Sequence, residues 1–404
     1  MISDPLLREA DRCVKCGLCL PHCPTYLKLT DEADSPRGRI ALIQAWVSEE
    51  IQLSPALLGH LDRCLGCRSC ERVCPSDVAF GRLMDDTRAR LQQTAAQPAS
   101  GLSPWLLNRL SDRTWLRRLS PLLALLRKSR LLVLGRKLAS LGLQRLIAVA
   151  ELLPEQTASH GLFPANQPSG KSLQLFIGCV SSQADQPAIQ ATRKLLQKLG
   201  YAVEIPSKQV CCGALQRHNG YPKRADELCD INREMSRNSS AKALITLASA
   251  CHLELDEHMH GGLPVQSIID FLLNPAMADQ LEFTPLSALV AVHTPCTARE
   301  DETLKLLKKI PRLEVRELAN NSICCGAAGS YLLTQAELSD ALGRDKIPHL
   351  KSMRPDILVT TNTGCALQFR LQIHEAKLAI EVLHPIELIY LSLIHISEPT
   401  RPKR

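Results

Sequence analysis

Two runs of cysteine constrain this chain more than any other feature. Residues 13–24 read CVKCGLCLPHCP and residues 64–75 read CLGCRSCERVCP. Each is C-x2-C-x2-C-x3-C-P, with Cys13, Cys16, Cys19 and Cys23 in the first and Cys64, Cys67, Cys70 and Cys74 in the second. This is the bacterial ferredoxin spacing for a [4Fe–4S] cluster. Three thiolates three residues apart let one tight loop curl around three irons, and Gly17 and Gly66 allow close backbone approach. The fourth cysteine cannot reach the same cube. The spacing therefore assigns Cys13, Cys16, Cys19 and Cys74 to one cluster, and Cys64, Cys67, Cys70 and Cys23 to the other. The competing reading is structural zinc, but zinc sites usually join two cysteine pairs across a longer loop. Lys15, Arg63, Arg68 and Arg72 stand beside ligands, either as charges that raise reduction potentials or as solvated loop residues.

The 404 residues and 17 cysteines fit two to three domains that need no disulfide staples to fold. The opening MISDPLLREADRC reads as no secretory leader, and no stretch approaches the ~18 to 20 apolar residues of a membrane span. A cytoplasmic protein using cysteine for metal or redox chemistry is the expectation. Net charge is +7, yet residues 101–150 hold ten Lys/Arg against Asp112 alone, a local balance of ten less one. That concentrates the charge in one basic helical segment and argues against a nucleic-acid surface.

Along the chain, residues 1–95 form a helical ferredoxin-type domain, with RGRIALIQAWVSEEIQL as a helix between the two runs. Residues 96–170 lack cysteine and read as a basic helical connector, with docking to a flavoprotein or an anionic membrane surface as the other readings. From 171 the pattern becomes strand, loop, helix, strand. SLQLFIG, ALITLA, SALVAV and DILVTT read as buried strands, with ATRKLLQKLG and ETLKLLKKI as helices, which suggests α/β units around parallel sheets.

That second half repeats itself. Cys179, Cys211-Cys212-Gly213 and Cys251 form one set; Cys296, Cys324-Cys325-Gly326 and Cys365 form the other. A boundary near 286 gives Cys-Cys-Gly domains at 171–285 and 286–390. In each, ligand candidates fall just beyond a strand's carboxyl end, where open α/β sheets build their sites. Adjacent cysteines can face one cofactor only if the backbone bends sharply, and the glycine that follows permits this. Buried structural thiols or a vicinal disulfide are the alternatives. Cys229 is left over and reads as a small apolar residue. His293, three residues before Cys296, reads as a satisfied loop histidine or an outer donor to the site, as do His22 and His252.

Two ferredoxin runs followed by two Cys-Cys-Gly domains resemble the iron–sulfur subunit of glycolate oxidase (glycolate dehydrogenase). The resemblance rests on CPTYLKLTDEADSPRGRIALI, HLDRCLGCRSCERVCPSDV, HTPCTA, CCGAAGSYLLT and TNTGCALQ, and covers roughly residues 5–390. It implies an α+β multidomain protein that works beside FAD-containing dehydrogenase subunits. The flavin oxidises a 2-hydroxy acid and this chain carries electrons toward the quinone pool, at the inner face of the membrane. Lactate or glycerol 3-phosphate dehydrogenase subunits, and a heterodisulfide-reductase-like thiol–disulfide enzyme, are the wider alternatives. No G-x-G-x-x-G fingerprint stands in a strand–helix setting, which places flavin chemistry on a partner. The five-cysteine type of relative has a further cysteine where this chain has Ala248 and Asn362, so each repeat is expected to hold an ordinary cluster on four thiolates. The tail LSLIHISEPTRPKR (391–404) lacks family character and reads as an artefactual extension beyond a helix ending near Tyr390.

Overall fold

A computed structural model describes residues 4–94, 102–118, 144, 148, 160–165, 170–298 and 302–394. The amino-terminal part is helical. Proline opens its helices Pro5–Ala10, Pro24–Leu29, Pro36–Val47 and Pro55–Asp62, where the missing N–H costs nothing, and Phe80–Gln93 closes it. Asp4, Ser35 and Ser54 cap three of them by accepting from Leu6 N, Gly38 N and Leu57 N. Leu6, Ile40, Ile43, Leu57, Leu61, Leu83 and Met84 form their common core, against which Cys13, Cys19 and Cys74 pack.

The remainder is built on two sheets with one shared plan. The strands are β1 Gly161–Phe163, β2 Lys171–Phe176, β3 Tyr201–Ile205, β4 Leu244–Thr246, β5 Val265–Ser267, β6 Ala288–His293, β7 Leu313–Glu317, β8 Ile357–Thr360 and β9 Glu381–Leu383. Their orders are β1-β3-β2-β4-β5 and β7-β6-β8-β9. Discounting β1, the two sheets match strand for strand, and every one of those pairings is parallel. Leu173 sits opposite Val203, and Val290 opposite both Val315 and Ile357. The central strands β2, β4, β6 and β8 are buried along most of their length, as inner strands of parallel sheets are. Leu175, Val203, Ile245, Val290, Val292 and Val359 belong to one continuous core, so the two halves share an interior.

Five strands escaped the sequence pattern: β1, β3, β5, β7 and β9. The stretch read as a basic helical connector holds one of them near its end, where β1 adds antiparallel to β3. Its amino-terminal part is helical at Pro104–Ser111, while most of its basic residues lie outside the described ones. The last helix runs Pro385–Ile394, past the expected end at Tyr390. Ser392 and Thr284 bond each other's backbone and hydroxyl groups, and Leu393 is buried. Residues 391–394 are thus part of the fold; 395–404 lie outside the described residues. Among the described residues no helix is long and apolar enough to cross a membrane.

Candidate metal centres

The two amino-terminal runs follow one backbone path. Lys15 and Gly17 flank Cys16 in the left-handed region (φ 56° and 85°), as Gly66 and Arg68 flank Cys67 (φ 64° and 55°). This double reversal turns successive thiols toward one point. A cavity of about 430 Å³, partly open to solvent, is lined by Cys13, Cys16, Cys19 and Cys74, with Cys70 also on its wall. A second, of about 320 Å³, is lined by Cys23, Cys64, Cys67 and Cys70. Each cavity draws the first three cysteines of one run together with the last cysteine of the other, and Cys70 borders both.

The SPRGRI segment ties these loops down. Arg37 donates to Glu32 at 2.7 Å and to the carbonyl of Lys15 at 3.1 Å. Gly38 is required because a Cβ there would stand 1.9 Å from the carbonyl oxygen of Glu32. The cations beside the ligands have separate destinations. Arg63 forms a two-pronged pair with Asp34 (2.9 and 3.0 Å) and Arg68 pairs with Glu257 (2.9 Å). Arg72 reaches the carbonyl of Cys296 at 3.4 Å.

In the first Cys-Cys-Gly half, Cys179 follows β2, Cys211-Cys212 follows β3, and Cys251 lies in the first turn of the helix Ser249–His258 after β4. The second half places Cys296, Cys324-Cys325 and Cys365 identically after β6, β7 and β8. Cys179 donates to Cys211 at 3.4 Å, while Cys296 and Cys324 stand 3.9 Å apart and Cys325 and Cys365 3.2 Å apart. Gly213 (φ 106°) and Gly326 (φ 89°) make the expected bends. They also lie against neighbouring backbone: a Cβ would meet Ala225 O at 2.9 Å and Ser339 O at 2.6 Å.

The chemistry of these donors fits a polynuclear metal centre. Sharing a hydrogen bond with Cys211, and then burial, push the Cys179 thiol well up; the same causes act on Cys296 beside Cys324. Burial pushes Cys67 up to about 12. Four such thiols cannot ionise together unless strong positive charge sits among them, which bound iron provides.

The amino-terminal region abuts the second quartet. Cys67 packs with Cys296 and Cys324 in a small cluster that includes Leu65, Tyr331 and Leu342, and burial together with Cys296 raises its pKa. Tyr331 donates to the carbonyl of Arg63 at 3.1 Å. The two quartets meet across a polar seam. Ser181 and Thr363 hydroxyls bond at 2.7 Å, as do those of Ser249 and Thr297. Asn362 caps its helix by accepting from Cys365 N and donates to Ser249 and Thr297, each at 3.2 Å. Asn362 thus serves both as a helix cap and as a contact between the two halves.

His293 is buried, bonds Thr360 at 3.0 Å and packs edge-on against Phe369. Burial, then Lys346, push its pKa down to about 3, and one ring nitrogen lies within 4.8 Å of the Cys325 and Cys365 sulfurs. His252 bonds Thr246 at 3.2 Å, and His22 lines the second amino-terminal cavity. Cys229 is 1% exposed and donates to the carbonyl of Cys212 at 3.1 Å. The sequence reading missed Gln209, which takes Ile177 N at 2.8 Å, as well as Asn232 and Lys346. Only alignment of the two repeats on their cysteines would have singled out the last two.

Known families match both regions. One described as a 4Fe-4S dicluster domain matches residues 9–78, and one described as a cysteine-rich domain matches residues 173–256 and 290–370. The chain holds [4Fe–4S] clusters, with further ones in the cysteine-rich region. It is 31% identical to the probable glycolate oxidase iron–sulfur subunit of Bacillus subtilis (strain 168), over 94% of this chain and 93% of that one. It is 29% identical to the glycolate oxidase iron–sulfur subunit of Escherichia coli (strain K12), over 96% and 94%. In fold it is similar to a hypothetical protein from Helicobacter pylori (TM-score 0.55, 11% identity, 89% of this chain and 68% of that one). The chain belongs to the family of glycolate oxidase iron–sulfur subunits.

Proposed function

We propose that this chain is the electron-transfer subunit of a glycolate (2-hydroxy acid) dehydrogenase, taking electrons from an FAD-containing partner and passing them toward the quinone pool. The observation that carries the reading is the packing of Cys67 against Cys296 and Cys324. It puts a ferredoxin-type site next to a Cys-Cys-Gly site, with apolar and aromatic side chains around both. In this reading Cys13, Cys16, Cys19 and Cys74 hold one cluster and Cys64, Cys67, Cys70 and Cys23 its neighbour. Cys179, Cys211, Cys212 and Cys251 hold a third, and Cys296, Cys324, Cys325 and Cys365 a fourth. Each bound cluster supplies one-electron chemistry. The chain's own part is to hold it on thiolates, keep water away with Leu65, Tyr331 and Leu342, and set the neighbouring charge.

The domain divisions near residues 95, 170 and 286 follow from the same reading. So does work at the inner face of the membrane through a partner. The four-thiolate sets favour electron transfer over disulfide cleavage, since Asn362 is committed to capping and to the seam. Purifying the tagged chain with its partner, then assaying dye reduction with glycolate, lactate and glycerol 3-phosphate, tests the reading. Glycolate-dependent reduction requiring a flavoprotein supports it. Disulfide reduction by the isolated chain, with no flavoprotein recovered, would contradict it.

A further inference from the structure

The two Cys-Cys-Gly sites have the same ligands but different charged surroundings. Asn232 stands 20 residues after Cys212, and Lys346 stands 21 after Cys325. Both side chains hold the loop that carries the cysteine pair. Asn232 accepts from Val210 N at 3.0 Å and donates to Cys211 O at 3.0 Å. Lys346 donates from Nζ to the carbonyls of Asn320 and, at 2.6 Å, Ile323. The roles correspond, since Val210 and Ile323 each precede the cysteine pair, but one side chain is neutral and the other carries an ammonium.

Lys346 is completely buried and interacts electrostatically with Cys325, Cys324 and Cys365. Its Nζ bonds two carbonyls rather than a carboxylate, and the adjacent Asp345, which also acts on it, is itself paired with Lys28 at 2.6 Å, so the Lys346 charge falls mainly on the cysteines. Arg72 adds a second cation at Cys296. Around the first set the ionisable neighbours are of opposite sign, with Arg113 coupled to Cys179 and Asp185 to Cys251. A further difference, His293 in place of Phe176 three residues before the first cysteine, adds polarity.

Adding an electron to a cluster increases its negative charge, and a buried cation close by favours that form strongly because little water screens it. From this we infer that Lys346 sets the second Cys-Cys-Gly site at a higher reduction potential than the first, making the site beside Cys67 the preferred electron acceptor of the pair. Lys346 acts through the cysteines as a positioning and charge-setting residue. The inference rests on the reading that each quartet holds a cluster.

The test is a redox titration followed by EPR on the full-length, iron-loaded protein, with signals assigned by their loss in Cys211→Ser and Cys324→Ser. Lys346→Gln should lower the second site's reduced-to-oxidised ratio at fixed potential at least tenfold, which is 59 mV for one electron, with the first site unchanged. Lys346→Arg should stay close to the parent, and Asn232→Lys should raise the first site. An iron-retaining Lys346→Gln protein with an unchanged potential overturns the inference, as does Lys346→Arg falling equally far. If Lys346→Gln loses its iron, Asn232→Lys decides: a first site that does not rise overturns it. A parent protein without iron at Cys324 would instead defeat the cluster reading itself, and the iron measurement separates the two failures.

Discussion

Arg39 donates from Nη2 to Asp34 at 3.2 Å, and the two side chains are 1% and 2% exposed. Arg39 also reaches His60 O (2.7 Å) and Thr25 (3.1 Å), while Arg63 grips the same carboxylate on both oxygens. One buried acid thus joins the SPRGRI helix to the segment that enters the second cysteine run. Removing it leaves Arg39 buried with no opposite charge. Asp34→Ala should therefore cost about 3–5 kcal/mol, read as a shift in the denaturation midpoint of the iron-loaded protein.

The bends at the cysteine pairs should be equally sensitive. Gly326→Ala combines a left-handed backbone with a Cβ 2.6 Å from Ser339 O. It should cost roughly 1–3 kcal/mol of strain and deplete iron from the second Cys-Cys-Gly site. Gly170→Ala is the control, since it lies outside the cysteine loops and its Cβ would meet open space at φ 68°. It should cost about 1–2 kcal/mol and keep its iron, as measured by iron per chain.

Cys229 separates a packed cysteine from a ligand. It donates to Cys212 O but lies outside both quartets. Cys229→Ser, which keeps a donor there, should leave iron per chain unchanged. Cys212→Ser and Cys365→Ser should each lose one site's iron.

The amino-terminal region meets the first α/β half through His218 and Asp85, 3.0 Å apart. Burial alone would lower the His218 pKa, but the Asp85 carboxylate outweighs it and the net shift is upward. Burial alone would raise Asp85, but His218 and nearby arginines bring it down. The histidine's contribution is fully present below its ordinary value of 6.5 and fades as pH rises through the raised one. The aspartate's is present above 3.8 and fades as pH falls through the lowered one. Stability between about pH 5.5 and 8.5 should therefore decline, by less than about 1 kcal/mol, and Asp85→Asn should flatten that slope in denaturation curves.

How much of this was legible in the sequence depended on range. Ligand spacing is local, so Cys13 to Cys74 could be read directly, and the helix at Pro36 followed from its own text. β5 and β9 have three residues each, too few for a period. β7, LEVRE, is largely exposed, so no apolar run marked it. All three owe their form to pairing with β4, β8 and β6, and β1 is a strand because β3 offers it an edge. The contact of Cys67 with Cys296 spans more than 200 residues, beyond any local pattern. In GRDKIPHLK the lysine looks like a surface charge; only the fold turns Lys346 inward beneath the cysteine pair.

The central claim is that electrons from a flavoprotein pass into this chain's clusters. Its most direct test is EPR of the purified complex, frozen after glycolate is added without oxygen. The account predicts that glycolate reduces the clusters of this chain in the complex, and that the isolated chain does not respond. A flavin that becomes reduced while these clusters stay oxidised would contradict it.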